Sequence, residues 1–151
     1  MTSAGRLLGV DFGDVRVGLA ISDPDRKIAF PLATYTRQGR ERDAAYFRAV
    51  VVEEMVAALV IGLPVHLNGS EGQKAMAARA FGAWLTETTG LSTTFWDERF
   101  TTVEAESALW AAGLTHKQRK ARRDKVAAQI FLQAYLDAGC PTDPVAGPLE
   151  G

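Results

Sequence analysis

Leu7-Leu8-Gly9-Val10-Asp11-Phe12-Gly13-Asp14, answered by Val17-Gly18-Leu19-Ala20-Ile21-Ser22-Asp23, sets the layout of the chain. Two apolar runs of strand length flank a tight turn of Gly and Asp, which predicts an antiparallel pair over residues 6–13 and 15–22. A strand buried on both faces is continuously apolar, yet Asp11 stands between Val10 and Phe12. An isolated buried carboxylate is too costly to keep charged, so such an acid is paired, protonated or bound to a cation. Asp11 is therefore the first candidate site residue. A turn-capping role is the alternative, for which Asp14 and Asp23 are better placed.

Outward from this pair, Asp23-Pro24-Asp25 is turn chemistry, and residues 28–35 read as a third strand. Pro31 puts that strand at an edge, because proline cannot donate to a ladder. Ala44, Phe47, Val50, Val51, Met55 and Ala58 recur at helical spacing and lead into the buried strand Ala58–Pro64. After a turn at Asn68-Gly69, Ser70 and Gln73 have capping-box spacing and open a second helix running to about Glu87. Met76, Ala80, Ala83 and Trp84 are its expected core stripe. Gly90 ends it, and Leu91–Trp96 is a fifth strand closing on Asp97-Glu98-Arg99. Thr101 and Glu104 form another capping box for a short helix to about Ala112. A last helix begins near Lys117–Lys120 and runs to about Asp137. The order β-β-β-α-β-α-β-α-α predicts an α/β domain, a mixed five-stranded sheet with helices on both faces. Residues 1–138 form this single domain, and 139–151, with Pro141, Pro144 and Pro148, form a flexible tail.

The chain has 151 residues, 47% hydrophobic and 23% charged, which is enough for one domain with a real core. No apolar run approaches the ~20 residues that span a bilayer, and the first residues lack the pattern of a secretion signal. No membrane partner is expected. The single cysteine, Cys140, excludes an internal disulfide and a cysteine-built zinc site, and suits a cytoplasmic protein. His66 and His116 are expected at surface loops or caps. The net charge of −1 excludes a global basic excess, but residues 117–125 hold six cations and one acid in nine positions. That run is either a solvated helix start or an electrostatic landing strip.

Acids stand where core elements begin or end: Asp11 in strand one, Asp97 and Glu98 closing strand five, Asp124 in the last helix. Helical spacing puts Asp124 on the side of Ala127, Ala128 and Phe131. Carboxylates converging from three segments suit a hard cation such as Mg²⁺. Two such ions could activate water and stabilise the leaving oxygen of a phosphodiester. Lys120, Arg122, Arg123 and Lys125 would then hold a phosphate backbone. Arg16, whose guanidinium forks onto oxyanions, is a candidate phosphate contact or an ion-pair partner of Asp14 or Asp23. The helix start near Ser70 offers backbone N–H groups to a phosphate, or is simply capped.

The blocks Gly9-Val10-Asp11-Phe12-Gly13 with Arg16, Gly62-Leu63-Pro64 with Asn68-Gly69, Asp97-Glu98-Arg99-Phe100-Thr101-Thr102 and Asp124-Lys125-Val126-Ala127-Ala128 occur in this order. Over residues 6–138 the pattern resembles the YqgF family, also called RuvX, the Holliday-junction-resolvase-like branch of the RNase H-like fold. The resemblance implies a sheet ordered 3-2-1-4-5 and a nuclease on structured nucleic acid. It implies Asp11, Glu98 and Asp124 as catalytic, metal-binding acids, with Mg²⁺ or Mn²⁺, one or two ions, as cofactor. Arg99 joins the implied substrate contacts. The implied substrates are precursor 16S rRNA, met in ribosomal particles, or branched DNA; a monomer or homodimer would serve. Adjacent strand residues face opposite ways, so one of Asp97 and Glu98 reaches the site, and the longer Glu98 is favoured. Strand four ends Gly62-Leu63-Pro64 without the acid that related resolvases carry there, so Glu98 must reach across it.

Two other readings compete. The strand-turn-strand around Asp11 and Gly18 also resembles the first phosphate loop of sugar kinases and actin-like ATPases, which need two such domains where 151 residues supply one. A non-catalytic RNA- or ribosome-binding protein with a relict site is the other. No stacking aromatic is identifiable: Trp96 and Trp110 are expected to pack in the core or at a helix edge.

Overall fold

Each of the two opening runs has the apolar residues of a strand buried on both faces, and they pair accordingly. In the computed structural model, which describes residues 4–66, 68–100 and 116–141 (backbone alone for 100 and 116–125), they form β1 (Arg6–Asp11) and β2 (Arg16–Ser22). The two are antiparallel, with Leu8 opposite Ile21 and Asp11 opposite Gly18. The third strand, β3 (Ala29–Thr36), continues the meander. Pro31 lies in it opposite Ala20, beside a register shift, and β3 is an edge of the sheet. A missing donor is tolerated there.

The other two strands, β4 (Val56–Leu63) and β5 (Thr93–Asp97), run parallel to β1 and extend the sheet to the order β3-β2-β1-β4-β5. Val10 is level with Ile61, and Leu63 with Asp97. Parallel neighbours need crossovers, supplied by α1 (Arg40–Glu53) and α2 (Gln73–Thr89). Leu8, Val10 and Ile61 from the sheet meet Phe47 of α1 and Phe81 and Leu85 of α2. On the opposite face Leu7, Val60 and Trp96 meet Ala128, Phe131 and Leu132 of α3 (His116–Asp137). Successive residues Leu7 and Leu8 thus serve opposite layers, as the pleat requires. Truncating a fully buried leucine such as Leu8 or Leu132 would cost about 2–5 kcal/mol.

The turn from β3 into α1 is held by a buried acid. Asp43, 1% exposed, accepts hydrogen bonds from the Tyr35 hydroxyl at 2.6 Å and the Gln38 backbone N–H at 2.9 Å. Arg37 Nε donates to its other oxygen at 3.3 Å. Burial pushes the Asp43 carboxyl upward, but these donors outweigh it and hold the group below its ordinary value. Burial and the facing carboxylate push the Tyr35 hydroxyl up to about 12.

Three local expectations are corrected. The first helix stops at Glu53; Met55 takes a left-handed φ of 55° and is 79% exposed, and Ala58 lies in β4. The reversal at Met55 frees Val56 to pair with Arg6. Helix α2 buries Ala75, Ala78, Phe81, Gly82 and Leu85, whereas Met76, Ala80 and Ala83 face outward and Trp84 is half-buried. Alanines occur all around this helix, so the large Phe81 and Leu85 choose the inward face. Ser70 does not cap α2: its N–H and hydroxyl turn onto Asn68 Oδ1, and the N-cap is Gly72 with no side-chain cap. Gly90 ends α2 as expected, at φ 77° with its N–H on the Thr86 carbonyl. The expected helix over 101–112 and the tail from 142 onward lie outside the described residues.

Candidate active site

Because β1 and β4 are parallel, their C-terminal ends open on the same side, and a cleft of about 720 Å³ lies there. Asp11 from the end of β1 and Glu98 from just beyond β5 both line it. The turn after β1 adds Asp14, and α2 adds Gln73 and Lys74 from its first turn. Gly13 holds this turn close: a Cβ there would fall 2.4 Å from the Arg16 carbonyl oxygen.

Strand parity decides which acid of the pair reaches the cleft. Regular β5 ends at Asp97, and a 3-10 turn takes over at Glu98–Phe100. Trp96 belongs to the α3 layer, so its neighbour Asp97 faces the α1–α2 layer, beside Leu63. There Asp97 is wholly buried. It accepts the Arg99 backbone N–H at 2.9 Å and Arg99 Nε at 2.9 and 3.0 Å, and pairs with Arg99 Nη2. Asp97 therefore caps the turn, and Arg99 balances its charge.

Glu98 is left on the side where β4 offers no side chain. Gly62 follows the Val10–Ile61 pair and so stands beside Asp11. A Cβ at Gly62 would lie 2.6 Å from Glu98 Oε1 and 3.2 Å from the Phe131 ring. The glycine is the corridor through which the Glu98 carboxylate passes over β4 toward Asp11. The strand-four position without an acid is thus a position without any side chain.

Arg99, expected to contact substrate, has its side chain folded onto Asp97 and 4% exposed. Arg16 opens β2 on the far side of the Gly13-Asp14 turn and is exposed. Asp124, Lys120, Arg122, Arg123 and Lys125 lie in the α3 backbone, and their side chains are outside the described residues. Leu132 sits over Gly9, where a Cβ would be 3.0 Å from it, and Phe131 sits by Gly62. Among the described residues no group of three or more His, Cys, Asp or Glu gathers closely enough to hold a metal ion, although Asp11, Asp14 and Glu98 all line the cleft.

Sequence reasoning missed two features of the wall. Lys74 brings a cation to the cleft from the first turn of α2; with the helix placed, its position could have been read. Arg79 forks onto Glu71, with Nη2 2.8 Å from Oε2, and lies 5.0 Å over the Phe95 ring. The Arg79 hydrogen bond holds the Glu71 carboxyl below its ordinary value. This clip ties the segment entering α2 to β5, and so fixes the wall that carries Lys74. A lone Glu and Arg eight residues apart gave no signal of it.

A family model described as RuvX, Holliday junction resolvase, matches residues 5–138. A protein of Rhodopirellula baltica described as "Putative pre-16S rRNA nuclease" is 47% identical over 136 residues, 90% of this chain and 79% of that one. A relative from Rhodobacter capsulatus with the same description is 45% identical, covering 88% of this chain and 84% of its own length. Among solved structures, T. thermophilus RuvC in complex with a Holliday junction substrate aligns with a TM-score of 0.59 at 16% identity, over 95% of this chain and 99% of that chain. Fowlpox virus resolvase aligns at 0.56 and 8% identity, over 90% and 99%. These likenesses fix the fold as that of RuvC, RNase H-like.

Proposed function

The chain belongs to the RuvX family, and on that footing we propose that it is a metal-dependent nuclease that trims the 5′ end of precursor 16S rRNA. The observation that carries this reading is the passage of Glu98 over Gly62 into the cleft lined by Asp11. Asp11 and Glu98, with Asp14 also on the cleft wall, offer the hard oxygen donors that Mg²⁺ or Mn²⁺ prefers, and the side-chain-free corridor at Gly62 fits a ligand set brought from two strands. Asp11 and Glu98 would hold one ion, and Asp124 would be the third acid, with room for a second ion. Bound there, the ion supplies an activated water and stabilises the charge on the leaving oxygen.

The remaining residues act on the strand. Lys74 lines the cleft from the first turn of α2, and its charge, with the positive end of that helix, favours a phosphate there. Arg16 and the run Lys120, Arg122, Arg123 and Lys125 hold neighbouring phosphates, fixing register without reading bases. Each cleft is built within one chain, so a monomer suffices and a homodimer would present two. Such a substrate, carried in ribosomal particles, places the protein in the cytoplasm; among the described residues no helix is long and apolar enough to cross a membrane.

The second reading, cleavage of branched DNA, is favoured by the RuvC-like fold. One assay separates the possibilities. Wild type, Asp11→Asn and Glu98→Gln are incubated with a precursor 16S rRNA fragment and with a four-way DNA junction, in Mg²⁺ or Mn²⁺. Wild type cuts the rRNA at its 5′ side, and both variants bind it without cutting. Junction cleavage alone would move the activity to DNA. Wild type and Asp11→Asn behaving alike on both substrates would leave a non-catalytic binding protein.

A further inference from the structure

A second hollow, of about 270 Å³, adjoins the cleft and shares Phe12 and Ala77 with it. Its floor is aromatic. The rings of Phe12 and Phe81 lie 4.6 Å apart, and those of Phe81 and Trp84 5.4 Å apart. The guanidinium of Arg37 stands 5.5 Å from both the Phe12 and Phe81 rings, tethered by Asp43. Arg40, the exposed first residue of α1, is on the rim. Among the described residues lining this hollow there is no acid, whereas the next depression along the α1–α2 seam has Glu41 and Glu87 beside Arg40 and Arg48. Ala77, Ala80 and Trp84 of α2 form one wall, with Trp84 half-buried against Phe47 and Phe81.

We propose that this hollow is a base-stacking subsite, receiving the unpaired base of the nucleotide next to the phosphodiester held at Asp11 and Glu98, with Arg40 on that nucleotide's phosphate. The proposal rests on the nuclease reading of the cleft and adds a substrate class: a strand that is single-stranded at the step beside the cut. Three features carry it. The hollow adjoins the cleft, with Phe12 and Ala77 lining both, so a strand crossing the cleft can turn a neighbouring base toward it. Its walls combine ring faces with guanidinium groups, the pairing that holds unstacked bases in single-stranded nucleic acid. Its charge is wholly positive among the described residues that line it, which suits a polyanion and not an acidic or neutral peptide. A base paired in a duplex cannot enter a pocket behind Phe12, so pairing at this step opposes cleavage.

The test uses the full chain and an oligonucleotide substrate in which one abasic residue is stepped along the strand on either side of the cleaved bond. At one position the abasic residue lowers wild-type kcat/KM about 5- to 100-fold, the worth of one stacked base. Trp84→Ala lowers cleavage of the intact strand by a comparable factor and removes the sensitivity at that position alone, and Trp84→Phe, which keeps a ring, restores most of it. Arg40→Glu sits at an exposed residue and does not touch the core; it weakens binding and reduces the salt dependence by about one phosphate contact. If the intact strand is cut but the abasic series is flat, the subsite falls and the nuclease reading stands. If no strand is cut and Asp11→Asn behaves as wild type, the reading of the cleft falls and the subsite with it.

Discussion

Glu98 lies in the space that a side chain on Gly62 would fill: its Oε1 is 2.6 Å from where that Cβ would be. The intervening strand β4 is bare at the point where the acid just beyond β5 extends over it into the cleft that Asp11 of β1 also lines. Gly62→Ala therefore displaces the Glu98 carboxylate or the Phe131 ring. We expect cleavage to fall about 10- to 100-fold, as when a metal ligand loses its support, with roughly 1–3 kcal/mol of overpacking. Rates at saturating and limiting Mg²⁺, beside a denaturation curve, separate the two effects. A Gly62→Ala chain that cleaves like wild type would remove Glu98 from the site.

Asp97 and Arg99 form the buried support of the same turn, and replacing Asp97 removes the carboxylate that Arg99 bonds there. Asp97→Asn should lower Tm clearly, and more than Arg79→Ala, which breaks the partly exposed pair with Glu71. Equal shifts for the two variants would show that burial of the Asp97 pair contributes nothing.

Stability should fall at both ends of the pH scale through one hydrogen bond. The Asp43 carboxyl is held below its unfolded value of 3.8, so its contribution is whole above about pH 4 and is lost as pH falls through the folded value. The Tyr35 hydroxyl is raised from 10.0 to about 12, so its contribution is whole below pH 10 and is lost as pH rises toward 12. Tyr35→Phe should cost about 1–2 kcal/mol at neutral pH and flatten the alkaline limb. Urea titrations across the pH range measure both; an unchanged alkaline limb in Tyr35→Phe would be the contrary result.

Lys74 faces the cleft from the first turn of α2. Lys74→Ala should raise KM for a nucleic-acid substrate and reduce the slope of log K against log salt by about one, with kcat little changed. A loss confined to kcat would instead make Lys74 part of the transition-state machinery.

Much of the fold was legible because punctuation and burial agreed. The turn at Gly13-Asp14, the edge proline Pro31 and the helix stop Gly90 each have one physical solution, and the structure adopts it. The face of α2 was misphased because alanine at positions 75, 77, 78, 80 and 83 carries no preference that sequence can weigh against Phe81. The Asp97–Glu98 choice turned on where β5 gives way to a tighter turn, which alternation alone does not fix. Gly62 was visible only as a missing acid; that the absence is a corridor needs the register of three strands. Trp84 is expected in the core stripe and does pack on the core cluster; that it also lines a hollow on the α1–α2 seam has no local signal in the sequence.

The two acids depend on different parts of the sheet. Asp11 is held by the pairing of β1 with β2 and β4. Glu98 is held by the pairing of β5 with β4 and by the buried Asp97–Arg99 pair that closes the turn beside it. Loss of β5 from the edge of the sheet would therefore leave Asp11 in place and take Glu98 away, so the cleft keeps both acids only while the five-stranded sheet is whole.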